Sequence, residues 1–311
     1  MRLSRWPAAV AFLLALAAVG LAPSSADDKS AMKKPPVAKS KLDRIPAKEL
    51  FGAVKDPAPI AARAIGSYAR GCLAGGTALP IDGPAWQVMR LSRNRNWGHP
   101  ALIALVERLA KDAQEKDGWP GLLVGDLAQP RGGPMLTGHA SHQIGLDADI
   151  WLTPMPNRTL TASERENISA VIMTKSHKEI DRSRWTEAHD RLIRRAASYP
   201  QVARIFVHPP IKKALCDWAT GDRSWLAKVR PYWGHNYHFH VRIRCPADSP
   251  GCKDQAEPAP KDGTGCGDEL AYWMQDKLWA KPTTPPKPRK PPPPLMLSAL
   301  PPDCRGIISI Q

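Results

Sequence analysis

Histidines are concentrated in two short stretches of this sequence. Five of the nine histidines lie in GHASHQIGLDAD (residues 138–149) or in GHNYHFH (residues 234–240). Neutral imidazole and ionised carboxylate are ligands that a borderline-soft cation such as Zn²⁺ accepts. The two stretches together therefore predict a metal site built from segments far apart in the chain. By contrast, His99, His189 and His208 stand alone, and we expect them to be structural.

The first stretch offers a pair of candidate ligands, His142 and Asp149, seven residues apart. Gly145 lies between them and allows the chain to turn, because glycine adopts backbone conformations that other residues avoid. An apolar run at Asp149–Leu152 follows and has the length of a short strand. The spacing therefore predicts one ligand in a loop and the other at the start of a strand.

The second stretch offers His238 and His240, two residues apart. In a strand these two side chains share one face, so both can point at the same ion while Phe239 and Val241 pack on the opposite face. Catalytic zinc usually has three protein ligands and an open position for water. His142, Asp149 and one of these histidines meet that count, and the other imidazoles suit proton transfer. A purely structural metal site is the alternative, although such sites more often use cysteine.

Apolar spacing predicts the elements that must position these residues. Leucine and valine recur at helical intervals within Ala101–Gln114, and Glu187–Ala197 is helical by the same criterion. Asp149–Leu152 and Arg204–Val207 have strand length, and Tyr237–Arg244 alternates like a strand. Helices and strands do not alternate regularly, which favours an α+β domain with a small antiparallel sheet flanked by helices and long loops.

Composition excludes several classes of protein. The chain has 44 Lys+Arg against 29 Asp+Glu, a formal charge of +15, 33 prolines and 43% hydrophobic residues. This is too apolar for a wholly disordered chain and too interrupted for collagen, a coiled coil or a multi-span membrane protein. The basic residues are dispersed along the chain, so we expect no nucleic-acid partner.

The ends of the chain differ in composition from its middle. Residues 1–26 have the charged start, apolar run and small residues of a cleavable signal peptide, which predicts a periplasmic protein without a stable membrane anchor; an uncleaved anchor is the alternative. Residues 27–48 are basic and broken by proline, so we expect disorder there. Residues 49–279 are expected to form one domain, and residues 280–311 a Pro-rich, disordered tail anchored at Cys304.

Six cysteines follow the predicted signal peptide, and no two are spaced as C-x-x-C. An even number in an exported chain predicts three disulfides that staple the domain. Six cysteines allow 15 pairings, and the residues alone favour only Cys245 with Cys252, which enclose a short loop containing proline and glycine.

Two segments carry a resemblance to a known family. They are RGGPMLTGHASHQIGLDADIW (residues 131–151) and KVRPYWGHNYHFHVR (residues 228–242). Together they resemble the penicillin-insensitive murein endopeptidases, within the wider LAS group of zinc peptidases, whose pattern is H-x6-D followed by H-x-H. The resemblance extends from about Cys72 to Cys304.

The resemblance implies a role for each histidine of the two stretches. The implied zinc ligands are His142, Asp149 and His240, with His139 as an additional or alternative one. His238 is implied to be the base that contacts the nucleophilic water, and His235 to orient or stabilise the oxyanion. The implied disulfides are Cys72–Cys304, Cys216–Cys266 and Cys245–Cys252.

Some family members carry an accessory metal on an Asp-x-x-His pair. Here Thr174 stands three residues before His177, so only the histidine of that pair is present. His177 is thus a candidate ligand of a possible second zinc, with Asp181 as a substitute for the missing carboxylate.

The implied substrate is peptidoglycan, cleaved at the D-alanyl to meso-diaminopimelyl amide of its cross-links. Arginines near the motifs, Arg131 first among them, could recognise stem-peptide carboxylates through bidentate contacts; the alternative is that they are solvated charges or structural pairs. The absence of the S-x-x-K and G-x-S-x-G motifs argues against a serine enzyme. A related zinc D,D-carboxypeptidase or dipeptidase, and a non-catalytic wall-binding protein, are the alternatives.

Overall fold

The structure is a computed structural model that describes residues 41–256, 259–280 and 292–310. The predicted α+β class is confirmed. The helices are α1 (Ala47–Ala53), α2 (Pro100–Asp117), α3 (Ala162–Asn167), α4 (Glu187–Ser198), α5 (Pro209–Trp218), α6 (Asp268–Trp273) and α7 (Asp303–Ser309). The strands are β1 (Arg63–Ser67), β2 (Arg70–Ala74), β3 (Thr77–Ala78), β4 (Asp82–Gly83), β5 (Trp86–Val88), β6 (Trp97–Gly98), β7 (Leu122–Val124), β8 (Asp147–Trp151), β9 (Val202–Val207), β10 (Val229–Pro231) and β11 (His238–Ile243).

The largest sheet has seven strands in the order β10-β9-β11-β8-β7-β5-β4. Its centre is antiparallel, because β11 runs opposite to both β8 and β9. The pairs β10–β9 and β5–β7 are parallel, so the sheet as a whole is mixed. Two further two-stranded antiparallel sheets are formed by β1–β2 and β3–β6.

The register of β8 and β11 brings the two histidine stretches together. His240 is paired with Asp149, and His238 with Trp151. Phe239 and Val241 face the hydrophobic core, as the alternation along the strand predicts. The opposite face of the same two strands therefore carries the chemistry-bearing side chains.

Helices α2 and α4 contribute much of the core against this sheet. The apolar face predicted within 101–114 is buried as Leu102, Leu105, Val106 and Leu109. Helix α2 is capped by His99, whose Nδ1 accepts a hydrogen bond from the Ala101 amide at 3.2 Å. At helix α4 the roles are reversed, because Nδ1 of His189 in the first turn accepts from the amide of the cap residue Thr186 at 3.1 Å. Both of these isolated histidines therefore have structural contacts.

The chain folds beyond the predicted limits 49 and 279 of the domain. A 3-10 turn occupies Lys41–Arg44, and α1 begins at Ala47, inside the segment expected to be disordered. Within the predicted Pro-rich tail, α7 is ordered. These ends share a small core of their own, in which Phe51, Leu300 and Ile307 are buried. The apolar residues of the two ends bury each other, which neither end could achieve alone. The predicted signal peptide lies outside the described residues.

Three disulfides staple the domain, and no cysteine in the described residues is free. They join Cys72 to Cys304, Cys216 to Cys266 and Cys245 to Cys252. These are the three pairs that the family resemblance implies. In the parts of the chain that the structure describes, none of the helices is both long enough and apolar enough to span a bilayer.

Candidate metal centre

Four imidazoles surround one buried carboxylate, that of Asp149. His142 Nε2 and His240 Nδ1 lie 3.4 and 3.2 Å from its Oδ1 atom. His139 Nε2 lies 3.4 Å from Oδ2, and His238 Nε2 lies 3.7 Å from Oδ1. The structure thus brings together the two predicted stretches at one point.

The turn before β8 places His142 beside Asp149. Gly145 has a φ of +70°, a left-handed conformation that glycine adopts at no steric cost. His142 itself has a φ of +67°, which is uncommon for a residue with a side chain. Its amide donates a hydrogen bond to Asp147 Oδ2 at 2.9 Å, which fixes this backbone conformation. The turn predicted at Gly145 is therefore present and is tied to the first residue of the strand.

The ring of His142 is oriented by a backbone carbonyl. Its Nδ1 lies 2.7 Å from the Leu127 oxygen, and because a carbonyl only accepts, Nδ1 carries the proton. Nε2 is left with a bare lone pair, is buried and has no hydrogen-bond partner among the described residues; the same holds for Asp149 Oδ1. Two buried acceptors that face each other without a donor are costly, and a cation between them would satisfy both.

Asp147 orients His240 in the same manner. Its Oδ1 lies 2.8 Å from His240 Nε2 and 2.7 Å from Arg242 Nε. Burial alone would raise the pKa of Asp147, but Arg242 and His240 outweigh burial and hold it well below its usual range. A proton on Nε2 leaves the Nδ1 lone pair of His240 directed at Asp149. The carboxylate–histidine contact is typical of the outer shell of a metal site.

His139 faces two carboxylates. Its Nε2 lies 3.1 Å from Asp126 Oδ2, besides the longer distance to Asp149. Donor atoms of His139, His142 and Asp149 all lie within 4.8 Å of one another, which makes them a compact set that could hold a metal ion. The structure therefore offers His139 as well as His240 beside the pair formed by His142 and Asp149.

His238 and His235 lie at the edge of this cluster, with ring centroids 4.9 Å apart. Burial lowers the pKa of His238 and lowers that of His235 to about 3, so both imidazoles are neutral at pH 7. His235 Nδ1 lies 2.5 Å from the Trp233 carbonyl oxygen and therefore carries the proton. Its Nε2 can then accept a hydrogen bond but cannot donate one.

Asp126 is a site residue that the spacing of the motifs does not reveal. Burial would raise its pKa, but the hydrogen bond with His139 and the charge of Arg95 lower it to about 2. Arg95 Nη1 donates to it at 2.8 Å, and Arg93 Nη1 at 3.1 Å. Asp126 follows the buried strand β7, and a carboxylate just beyond a buried strand is the one signal that could have indicated it.

Two predicted site residues lie elsewhere. The buried guanidinium of Arg131 donates to the backbone carbonyls of Asp56, Ile307 and Ile310 and so holds the C-terminal helix, and substrate binding by Arg131 stays a prediction. His177 Nε2 lies within hydrogen-bond distance of Asp276 Oδ1, at 2.9 Å. Within the described ranges no second compact group of His, Cys, Asp and Glu is found near it.

Two cavities flank the cluster. The first, about 290 Å³, is lined by Arg90, Arg93, Asp126, His139, Tyr237 and His238, among others. The second, about 500 Å³, is lined by Phe206, Tyr232, His235, His240, Glu269 and Trp273, among others. Asp149 borders the first cavity and His139 borders both. A substrate that extends in two directions from the cluster would therefore find a pocket on each side.

The chain is thus an α+β domain whose buried histidine–carboxylate cluster could hold a metal ion and opens into two cavities. The family described as penicillin-insensitive murein endopeptidase has a model that matches residues 64–309, and the chain belongs to this peptidase family. The resemblance seen in the two histidine stretches is thereby confirmed.

Relatives with the same description cover most of the chain. The penicillin-insensitive murein endopeptidase of Haemophilus influenzae is 48% identical over 225 residues, which are 71% of this chain and 78% of the relative. Those of Salmonella paratyphi B and Salmonella newport are 42% and 43% identical, each over 82% of this chain and 89% of the relative.

Proposed function

We propose that the chain is a zinc-dependent D,D-endopeptidase of the cell wall. Its substrate is the peptide cross-link of peptidoglycan, a D-alanyl to meso-diaminopimelyl amide, which it hydrolyses with an activated water. The relatives, which are murein endopeptidases by name, support the murein part of this proposal. The orphaned lone pairs that face each other at His142 and Asp149 support the metal part, and they are the observation that carries the proposal.

The residues fit zinc rather than a harder cation. His142, Asp149 and His240 supply two imidazole nitrogens and one carboxylate oxygen, a donor set that Zn²⁺ accepts in catalytic sites. His139 is close enough to serve as an additional or alternative ligand. When bound there, Zn²⁺ supplies a Lewis acid that polarises the scissile carbonyl and lowers the pKa of water.

His238 is the proposed proton-transfer residue. Its imidazole is neutral at pH 7 because burial lowers its pKa, so it can accept a proton from the attacking water. As the carbon–oxygen bond forms and the carbon–nitrogen bond breaks, it passes that proton to the leaving amine. His235 lies against His238 and, because its Nε2 only accepts, is better suited to orient this pair than to donate to an oxyanion.

A digestion experiment tests the function. Purified mature protein is incubated with a cross-linked muropeptide dimer and, separately, with monomeric pentapeptide, and products are followed by mass spectrometry. We expect the dimer to be converted to monomers and the pentapeptide to stay intact. Release of terminal D-alanine alone would instead indicate a D,D-carboxypeptidase, and binding without any product would indicate a non-catalytic wall-binding protein.

Metal analysis of two variants tests the division of roles. His240→Ala should lose bound zinc, because it removes a ligand. His238→Ala should keep most of the zinc and lose turnover, because it removes only the proton carrier. His177→Ala is the matched control and should keep both; a drop in its zinc content would instead reveal a second metal at His177. Equal zinc loss in His238→Ala and His240→Ala would contradict the division.

We also propose that the protein acts in the periplasm after removal of residues 1–26. The chain has three disulfides. Disulfides persist in oxidising compartments and are rare in the cytosol. Peptidoglycan lies in that same compartment. N-terminal sequencing of the protein recovered from a periplasmic extract should begin at Asp27.

A further inference from the structure

The first cavity is bordered by arginines whose charge exceeds that of the carboxylate beside them. Arg93 borders the cavity and shares the single carboxylate of Asp126 with Arg95, which does not line the cavity. Arg90 also borders the cavity, and its guanidinium is held by the backbone carbonyls of Arg165, Glu166 and Ile168, which are uncharged. Apart from the candidate ligand Asp149, this wall therefore carries a positive surplus.

Arg93 lines the cavity with a well exposed side chain, unlike its neighbour Arg95. Its side chain is 46% exposed, whereas that of Arg95 is 8% exposed and is also held by Thr137. Both contacts of Arg93 with Asp126 use the same terminal nitrogen, Nη1, at 3.1 and 3.3 Å. Arg93 therefore contacts Asp126 through Nη1 alone. A planar guanidinium can bind a further carboxylate with two parallel hydrogen bonds.

We propose that Arg93 is a specificity-determining residue that binds the carboxylate on the carbon atom bearing the scissile nitrogen. This inference rests on the proposed function. In a D-alanyl to meso-diaminopimelyl cross-link, the carbon attached to the scissile nitrogen retains a free carboxylate. That anion would lie within a few ångströms of the bond that breaks, on the leaving-group side.

The position of His238 assigns the first cavity to the leaving group. His238, the proposed donor of a proton to the leaving amine, borders the cavity of Arg93, and His235 borders the other. An amine that takes its proton from His238 must lie toward the first cavity. Asp126 is within hydrogen-bond distance of both Arg93 and His139. Arg93 is therefore connected to the candidate ligand His139 through one carboxylate. Arg93 and His238 line the same cavity, so a carboxylate beside the amine lies on the side of the cluster where Arg93 stands.

The test uses two muropeptide dimers that differ at one group. One has the free carboxylate beside the scissile amide, and in the other this carboxylate is a primary amide. We expect the wild-type protein to cleave the free acid with a kcat/KM roughly 10- to 100-fold higher, the range associated with a hydrogen bond to a charged group. In Arg93→Gln this preference should disappear, and Arg93→Lys should retain part of it. Arg158→Gln is the matched control, since Arg158 is an exposed arginine paired with a carboxylate, Glu164, outside this cavity. It should keep the full preference.

The ratio of the kcat/KM values for the two dimers separates substrate recognition from a purely structural role. If Arg93 only held Asp126 in place, Arg93→Gln would slow both dimers equally and leave their ratio unchanged, which would overturn the proposal. A wild-type protein that cleaves both dimers at equal rates would overturn it too, while leaving the proposed function intact. A wild-type protein that cleaves neither would overturn both. Zinc content and thermal unfolding of each variant show that folding and metal binding are preserved.

Discussion

Two of the candidate zinc ligands are held by the same fully buried carboxylate. Asp147 accepts a hydrogen bond from the His142 amide and another from the His240 ring, and it also neutralises Arg242. In Asp147→Asn the amide can still accept, but its nitrogen donates and so opposes the tautomer of His240 that leaves Nδ1 bare. We expect zinc affinity to fall about 10- to 100-fold, as for other outer-shell partners of metal ligands.

Competition with a chelator of known affinity measures this change. Asp222→Asn is the control, because Asp222 is an exposed aspartate that also accepts from a backbone amide, that of Ser224. Its zinc affinity should match that of the wild type. An Asp147→Asn variant with unchanged affinity would show that His240 is oriented by something else.

Residue spacing indicates the candidate ligands but not what surrounds them. His142 with Asp149, and His238 with His240, follow local patterns in the sequence, so each pair can be recognised from one segment. Asp126 and Arg93 belong to other segments and meet the cluster only through the fold. Arg131 lies close in sequence to the first stretch yet turns its side chain toward the C-terminal helix, because proximity along the chain does not fix side-chain direction.

At the scale of elements, the turn before β8 is a tightly constrained feature of the site. A Cβ atom at Gly145 would lie 2.7 Å from Leu73 Cδ2 and 2.9 Å from the His99 amide nitrogen. Gly118 has the same φ of +70°, but a Cβ there would meet nothing within 4 Å. Gly118→Ala therefore isolates the cost of the left-handed conformation, about 1–2 kcal/mol. Gly145→Ala adds a clash, so we expect about 1–3 kcal/mol more.

Urea denaturation of the two glycine variants gives both costs on one scale. The zinc affinity of Gly145→Ala should fall as well, because the turn sets the position of His142 relative to Asp149. Gly118→Ala should bind zinc normally. Equal destabilisation of the two variants would show that the turn relaxes around the added methyl group.

Helix α4 carries a buried carboxyl group with an unusual proton affinity. Burial raises the pKa of Asp190 to about 7, although Trp185 Nε1 donates to it at 3.0 Å. As pH rises from about 4 to about 7, the unfolded chain releases this proton before the folded one, so this group makes folding stability decrease across that window. Above pH 7 the loss is complete.

Asp190→Asn removes this ionisation and can keep the bond from Trp185. Relative to the wild type, the variant should therefore become more stable between pH 5 and pH 8, as measured by urea denaturation at both values. Asp222→Asn is again the control, because the pKa of Asp222 is lowered and it stays ionised across this range. A difference between Asp190→Asn and wild type that does not change with pH would contradict the raised pKa.

Apolar spacing predicts several elements around the site, but it does not predict how they pair. The segments 101–114, 187–197, 204–207 and 237–244 were assigned correctly as helix or strand by apolar spacing. Spacing says nothing of partners, and the parallel pairs β10–β9 and β5–β7 arise from contacts between distant parts of the chain.

At the scale of the whole molecule, the two ends of the described chain form one unit. Phe51 of α1 and Ile307 of α7 lie in the same small core, and Arg131 binds backbone carbonyls of the C-terminal residues. Proline content and charge predict disorder from local composition, and they miss burial that depends on a distant partner. The disulfide between Cys72 and Cys304 ties this unit to β2.

Replacing that disulfide should destabilise the protein more than replacing the short one. Cys72 and Cys304 are 232 residues apart, whereas Cys245 and Cys252 are 7 apart. If a crosslink acts mainly by restricting the unfolded chain, losing the long loop costs about 5 kcal/mol and losing the short loop about 2 kcal/mol. Paired Cys→Ala variants, compared by urea denaturation, measure both. The order should hold even where native-state strain reduces each value, because the loops differ so widely in length. A short-loop variant that is the less stable of the two would show that Cys245–Cys252 acts in the folded state, for instance by holding the loop that follows β11.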